Sequence, residues 1–238
     1  MSTTISVGEI TLEVIHKNIK NVHLSVYPPT GRVRIAAPSH MDLETVRLFA
    51  ISKISWIRRN QKRHLNQERE TPREFIERES HYLWGKRLLL KVVEKEAVPV
   101  VQAQQRFLKL QVRPGASRES RADIMGSWYR GQIRSEAEPL IALWEKRLGI
   151  KVKGVYVQQM KTRWGSCNSR AESIRLNTEL AKKSKECLEY IIVHEMIHIL
   201  IPNHGKQFQG LLSKHLPNWQ NYRDQLNSSP MSHSYWEY

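Results

Sequence analysis

Two histidines and a glutamate inside one apolar stretch are the residues of this chain best suited to chemistry. His194 and His198 stand four residues apart, and Glu195 directly follows the first. Residues four apart lie on one face of an α-helix, about one turn from each other, so both imidazoles could bind a single zinc ion. Glu195 lies roughly 100° further round and could accept a proton from water that the metal activates. We therefore predict that Glu195 is the general base of a hydrolase.

A third histidine follows the predicted end of this helix. Pro202 disfavours helical backbone before it, and Asn203 tolerates a left-handed turn, so the chain could reverse and bring His204 back towards the metal. A catalytic zinc site uses three protein ligands and keeps a fourth position open. The predicted ligands of Zn2+ are His194, His198 and His204.

The second half of the chain supplies the elements that would hold these residues. An apolar stripe predicts a long helix over Ser120–Leu148, ended by Gly149. Short apolar runs predict strands at Val155–Val157 and Ser173–Asn177, and the apolar residues around Glu195 predict a buried helix. Helical patterns return at residues 204–215 and 219–226.

The first half is predicted to be rich in β structure. Apolar and polar residues alternate at residues 10–14, 22–26 and 32–36, and Pro28–Gly31 predicts a hairpin between the second and third of these strands. Asp42 is a plausible cap for one helix that runs to about His64. Further strands are predicted at residues 87–93, 99–102 and 107–112.

These patterns predict an α+β fold. Residues 1–116 would form an N-terminal β-rich domain with one helix, and residues 117–238 a catalytic domain with a long helix, a small sheet and the metal-binding helix. The boundary is placed at Pro114-Gly115, where strand patterns give way to helical ones. No internal repeat is evident.

Composition limits the class of protein. The 238 residues include 38 Lys and Arg against 23 Asp and Glu, a net charge of +15 that favours anionic partners. The densest basic run, Arg58–His64, could contact phosphate or could be a solvated helix face. No apolar run reaches the ~18 residues of a membrane span, no signal peptide is evident, and Cys167 and Cys187 fit no disulfide framework. We expect a cytoplasmic protein without a membrane segment.

A turn-rich loop between the two short strands carries further candidate residues. Arg163 could stabilise the oxyanion that forms during hydrolysis, or could form a structural salt bridge. Asn177 could hold the backbone of a substrate. Trp164 is a second candidate for substrate binding, with packing of the loop as the alternative.

Several motifs together resemble the YgjP-like metallopeptidase family, which is related more distantly to SprT-like zinc proteases. They are Arg163-Trp-Gly-Ser-Cys167, Leu176-Asn-x-x-Leu180, Val193-His-Glu-x-x-His198 and Asn203-His-x-x-x-Phe208. One departure is Gln209, where the family commonly has an aromatic residue. The resemblance implies a zincin-like catalytic half with the ligands and base named above. It also implies a sheet edge that borders the cleft above the metal helix, for which the strand 173–177 is our candidate, with an ordinary core strand as the alternative.

The leading hypothesis is thus a zinc-dependent metallopeptidase that acts on peptides or proteins. The resemblance also implies a possible second activity, a metal-dependent nucleoside triphosphate pyrophosphatase with UTP as substrate, for which Arg163 and Lys161 would suit a polyphosphate. A third hypothesis is a basic nucleic-acid-binding protein with a structural zinc. Glu195 argues against this last reading, because a closed structural site does not use a general base. The sequence leaves the oligomeric state open.

Overall fold

The structure, a computed structural model, describes residues 2–27, 30–66, 73–160 and 163–228. The chain forms two compact units, Met1–Glu68 and Arg69–Tyr238. Each unit has its own hydrophobic core, because the buried clusters draw on separate parts of the chain. Within the described ranges no helix is both long and apolar enough to cross a bilayer.

The first unit contains a four-stranded sheet. Its strands are β1 (Ser2–Val7), β2 (Ile10–Lys17), β3 (His23–Tyr27) and β4 (Arg32–Pro38). They lie in the order β1-β2-β4-β3, with β2 and β4 parallel and both outer pairs antiparallel. The antiparallel pairing of β3 with β4 confirms the predicted hairpin, although Pro28 and Pro29 of its turn lie outside the described residues.

Two helices cover one face of this sheet. The strands turn Leu12, Val14, Val33 and Ile35 towards the helices, and all four are fully buried, as the alternating pattern predicts. The helices are α1 (Leu43–Ser52) and α2 (Ile54–Asn66).

The single helix predicted here is in fact two. The Asp42 side chain caps α1 by accepting the N–H of Thr45 at 2.6 Å, as expected for an N-terminal aspartate. Lys53 then leaves helical geometry, with φ −106° and ψ 7°, and separates α1 from α2. Helical periodicity continues across this break, which is why the sequence pattern did not reveal it.

The second unit begins with another four-stranded sheet. Its strands are β5 (Ser80–Leu83), β6 (Lys86–Glu94), β7 (Val100–Ala103) and β8 (Phe107–Val112). They lie in the order β5-β6-β8-β7, with β6 and β8 parallel and the outer pairs antiparallel. The strand order and directions of the first sheet are therefore repeated, a repeat of architecture without an evident repeat of sequence.

A long helix, α3 (Arg118–Leu148), follows this sheet and forms the centre of the second core. Ser117 caps it by accepting the N–H of Ser120, and Gly149 ends it in the left-handed region at φ 66°, where glycine is favoured. The buried side chains recur at about every fourth position and so form one face of the helix. They are Met125, Tyr129, Ile133, Ala137, Ile141 and Trp144.

The remaining elements surround the candidate site. A three-stranded sheet consists of β9 (Gly154–Gln158), β10 (Gly165–Asn168) and β11 (Ser173–Asn177), in the order β10-β11-β9. A 3-10 turn, Thr178–Lys182, leads to the helices α4 (Lys185–Leu200), α5 (Lys206–His215) and α6 (Trp219–Ser228). Helix α4 lies against β10 and β11.

The predicted α+β class is confirmed, with a sheet-rich N-terminal part followed by helices and a small sheet. The predicted boundary after residue 116 falls inside the second unit, between β8 and α3, and stays a prediction. Side chains of β6 and β8 belong to the same buried cluster as α3 and α4, so these strands share a core with the helices.

Candidate functional site

Helix α4 is buried on most of its circumference, in keeping with its apolar sequence. Its only buried charged residue is Glu195, with 6% of its surface exposed. His194 and His198 are half-buried on one side of the helix. The helix ends at Leu200, and the next residue, Ile201, has an extended backbone at φ −131° and ψ 102°, as expected before a proline.

The chain turns back after Pro202 and brings a third imidazole to the same place. Nε2 of His204 lies 3.0 Å from Nε2 of His198 and 3.0 Å from Nε2 of His194. One nitrogen from each of the three rings lies within 4.8 Å of the others. The three histidines therefore form a group that could hold a metal ion.

The surroundings of the rings set their orientation. Nδ1 of His198 donates to the carbonyl oxygen of Ile201 at 3.1 Å, so this ring carries its proton on Nδ1 and presents the Nε2 lone pair to the other two. Phe208, 2% exposed, lies 4.7–4.9 Å from the centroids of all three imidazoles. The sequence motif contains Phe208, but its role as a common support for the rings emerges only from the structure.

The three nitrogens fit a zinc ion. Burial, together with the neighbouring His198 and His204, lowers the pKa of His194 to about 3, and burial lowers the pKa of His198 as well. Both rings are therefore neutral near pH 7 and can act as ligands. Two nitrogens bound to one zinc at a tetrahedral angle lie roughly 3.4 Å apart, close to the separations observed. Nδ1 of His194 is buried and has no hydrogen-bond partner in the described part of the chain.

Glu195 lies beside the histidine group without belonging to it. Burial raises the pKa of its carboxyl to about 7, against the opposing effect of the positive charge of Arg163. A cation bound nearby would favour the ionised form. Beside a bound metal the group would therefore be a carboxylate, the form that can accept a proton.

A cleft of about 420 Å³ opens over these groups. Its walls come from α4, from the segment after it, and from β10 with the residues that flank it. The lining residues are Arg163, Gly165, Ser166, Cys167, Ser169, His194, Glu195, His198, Pro202 and His204. The structure thus brings five of the seven predicted site residues together around one cavity.

Asn177 and Trp164 do not line this cleft. The Asn177 side chain is 5% exposed and donates to the carbonyl oxygens of Met160 and Arg163, at 2.8 and 2.7 Å. Its oxygen accepts the N–H groups of Met160 and Glu179. These four bonds use the hydrogen-bonding capacity of the amide within the protein, so the geometry does not support the predicted substrate contact, which stays a prediction.

Trp164 packs against the second core, and Lys183 Nζ lies 5.7 Å from its ring centroid. This position agrees with the alternative interpretation, in which Trp164 packs the loop. Its substrate-binding role likewise stays a prediction. Lys161, proposed for a polyphosphate substrate, lies outside the described residues.

The strand proposed for the edge of the sheet is not at the edge. β11 lies in the middle, paired with β10 on one side and β9 on the other, and the strand that borders the cleft is β10. The sequence pattern missed β10 because Gly165-Ser-Cys-Asn168 is short, contains a glycine and lacks alternating apolar residues.

The register of β10 identifies its free backbone groups. The N–H of Asn177 donates to the carbonyl oxygen of Trp164, and Ser166 pairs with Arg175 further along the ladder. Since hydrogen-bonded residues alternate in an antiparallel ladder, the N–H and C=O groups of Gly165 and Cys167 face away from β11. Within the described part of the chain no strand pairs with this side of β10, so these groups form an edge beside the cleft.

Comparisons with known proteins identify a family and two similar solved structures. A family profile described as YgjP-like, metallopeptidase domain, matches residues 20–229. No curated protein matches the chain. The metallopeptidase zymogen of Pyrococcus abyssi abylysin is 20% identical, with a TM-score of 0.35, over 37% of this chain and 90% of its own. The metallopeptidase zymogen of Methanocaldococcus jannaschii jannalysin is 23% identical, with a TM-score of 0.33, and the match covers 40% of this chain and 86% of jannalysin.

Proposed function

The chain belongs to the YgjP-like metallopeptidase family, and on this premise we propose that it is a zinc-dependent peptidase. The proposed ligands are His194, His198 and His204, and the proposed general base is Glu195. The observation that carries the proposal is the convergence of three imidazole nitrogens, with separations of 3.0 Å, beside a buried carboxyl group outside the ligand set.

Zinc held by these histidines would supply a Lewis acid that polarises a carbonyl group and acidifies water. The residues of the chain then move the proton. Glu195 would accept it from the attacking water and pass it to the leaving amine, a role that suits an ionised carboxyl group outside the ligand set. Arg163, which lines the same cleft, would stabilise the negative oxygen of the tetrahedral species.

The edge of β10 would position the substrate. An extended peptide can add to an exposed strand through backbone hydrogen bonds, without requiring a particular side-chain sequence. The outward-facing backbone groups of Gly165 and Cys167 would bind such a peptide directly over α4. This arrangement favours an unfolded or flexible segment of protein as substrate, because the peptide must be extended along the strand.

The test of this proposal is Glu195→Gln. The amide keeps the size of the side chain but cannot accept the proton, so we expect cleavage of a denatured protein to fall by about 10²–10⁴-fold while bound zinc, measured by atomic absorption, stays at wild-type stoichiometry. Glu189→Gln, on the same helix, is the matched control. Its amide oxygen can still accept the Trp144 N–H, which donates to Glu189 at 2.9 Å, so activity should persist. Undiminished cleavage by Glu195→Gln would contradict the assignment of the base.

The other two hypotheses lack a specific supporting observation. Among the described residues that line the cleft, Arg163 is the one lysine or arginine available to a polyphosphate such as UTP. For a nucleic-acid-binding protein with a structural zinc, the open cleft and Glu195 would have no purpose. Metal-dependent release of pyrophosphate from UTP by the wild type, absent in Glu195→Gln, would favour the pyrophosphatase instead.

A further inference from the structure

We propose that Gly165 is a positioning residue for Glu195: its missing side chain leaves the space that the carboxyl group occupies beneath the edge strand. The inference rests on the proposed function, in which Glu195 is the general base. It adds to that site a residue without any functional group of its own.

The distances between β10 and α4 carry the inference. A β-carbon built on Gly165 would lie 2.7 Å from Oε1 of Glu195 and 2.9 Å from its Cγ, and 2.8 Å from Cγ2 of Ile191. Nonbonded carbon atoms are optimally about 3.5–4.0 Å apart, so all three contacts would be strongly repulsive. Any residue larger than glycine at position 165 would have to displace one of these two side chains.

Backbone conformation does not explain the glycine. Five other glycines, including Gly149 at the end of α3, adopt a positive φ, but Gly165 does not. It lies within a regular antiparallel strand opposite Leu176, where any residue can adopt the backbone angles. Glycine weakens a strand interior, and often marks a place where another group approaches closely. Here the approaching group is the carboxyl group of Glu195.

The consequences of an added methyl group follow from which atoms can move. Ile191 is buried within α4, and β10 is held by its pairing with β11, so neither yields easily. The Glu195 side chain is the flexible partner, and both its Cγ and its carboxyl group would have to move. The three nearest atoms belong to Glu195 and Ile191 and none to an imidazole, so the added methyl group would displace these two side chains before any of the proposed ligands. A displacement of about 1 Å of a catalytic group can reduce the rate roughly 100-fold.

The first test is Gly165→Ala in the zinc-loaded protein. We expect kcat for peptide cleavage to fall about 100-fold. KM should stay unchanged because alanine keeps the backbone groups of the edge. Zinc affinity and the visible spectrum of the cobalt-substituted protein should stay unchanged because the nearest contacts of the methyl group include no imidazole. Gly131→Ala is the control, since a β-carbon there meets nothing within 4 Å, and it should keep wild-type kcat. Wild-type kcat in Gly165→Ala would overturn the proposal.

The second test measures the contact directly. In a Glu195→Ala background the two Glu195 atoms nearest the added methyl group are gone, so Gly165→Ala should shift the urea midpoint of unfolding less than it does in the wild type. Equal shifts in the two backgrounds would overturn the proposal. If Gly165→Ala does not fold by itself, adding Ile191→Ala removes the other contact and should restore the fold but not kcat. Restoration of kcat as well would count against a role through Glu195.

Failure of this inference differs from failure of the proposed function. Wild-type protein that binds zinc but cleaves no peptide would contradict the proposed peptidase function. The difference between the urea-midpoint shifts of Gly165→Ala in the two backgrounds, which measures the coupling between positions 165 and 195, would still show whether Gly165 positions the carboxyl group. An active wild type with no such coupling would remove the role of Gly165 alone.

Discussion

At the scale of single residues, the three histidines reach the site by different means. The spacing of His194 and His198 places them together on any helix. His204 depends on the reversal after Pro202, and it is exposed and lines the cleft. Its ring is held by contact with Phe208, at 4.8 Å between centroids. Of the three proposed ligands, His204 is therefore the one whose loss should disturb the fold least.

We accordingly predict that His204→Ala lowers zinc affinity by at least about 100-fold. Loss of a residue that only orients a ligand weakens metal binding by up to about 100-fold, so loss of a ligand itself should weaken it at least as much. The metal-free protein should keep the wild-type midpoint of urea unfolding. Competitive titration with a chromophoric chelator measures the affinity. His40→Ala, an exposed histidine of the first unit, serves as the control and should bind zinc as the wild type does. Unchanged affinity in His204→Ala would exclude it as a ligand.

At the scale of elements, the Asn177 side chain at the end of β11 bonds to the described residues on both sides of the loop that carries Arg163. The Asn177 amide donates to two backbone carbonyl oxygens and accepts two N–H groups, on both sides of the loop and in the 3-10 turn. Buried carbonyl groups that lose a donor destabilise a protein by about 1–3 kcal/mol each. Asn177 is thus suited to hold the loop, and through it Arg163, in place.

Asn177→Asp should therefore destabilise the protein by about 2–6 kcal/mol, because a carboxylate cannot donate to the oxygens of Met160 and Arg163. The measurement is urea unfolding, with limited proteolysis to detect opening of the loop. Asn168→Asp is the matched control, because that side chain accepts the N–H of Ala171, and aspartate accepts equally well. If both substitutions had the same small effect, the loop would not depend on Asn177.

At the scale of the whole molecule, the two hydrophobic clusters are separate, one formed by β1–β4 with α1 and α2, the other by the rest of the described chain. The three histidines belong entirely to the second unit, on α4 and the segment before α5. A ligand stabilises only the cooperative unit that binds it. Zinc should therefore act on the second unit alone.

Calorimetry should show this as two transitions, of which only one moves when zinc is removed by a chelator. Free zinc at 100 times its Kd contributes about 2.7 kcal/mol to the unit that binds it. Hydrogen exchange should assign the shifted transition to residues 73–228 and the unshifted one to residues 2–66. A single transition, or two that shift together, would contradict independent units.

Much of the site could be predicted because its signals are local. The helix that carries His194, Glu195 and His198 follows from its apolar sequence and a spacing of four, and the return of His204 follows from a proline and an asparagine that suit a turn. The α+β class follows from where alternating patterns give way to helical ones. Each of these inferences depends on residues near one another in the chain.

Only the tertiary structure decided which strand borders the cleft. A strand is at the edge of a sheet when a neighbour pairs with it on one side only, and this depends on how distant segments pack. In addition, the sequence of β10 has too weak a strand pattern to be recognised. Only the structure showed that Phe208 supports all three rings and that the Asn177 amide is used within the protein. Gly165 is the clearest example, since a glycine has no chemistry to detect in a sequence. Its importance lies in the distance to a helix some thirty residues away along the chain, and such distances are set only when strand and helix pack together.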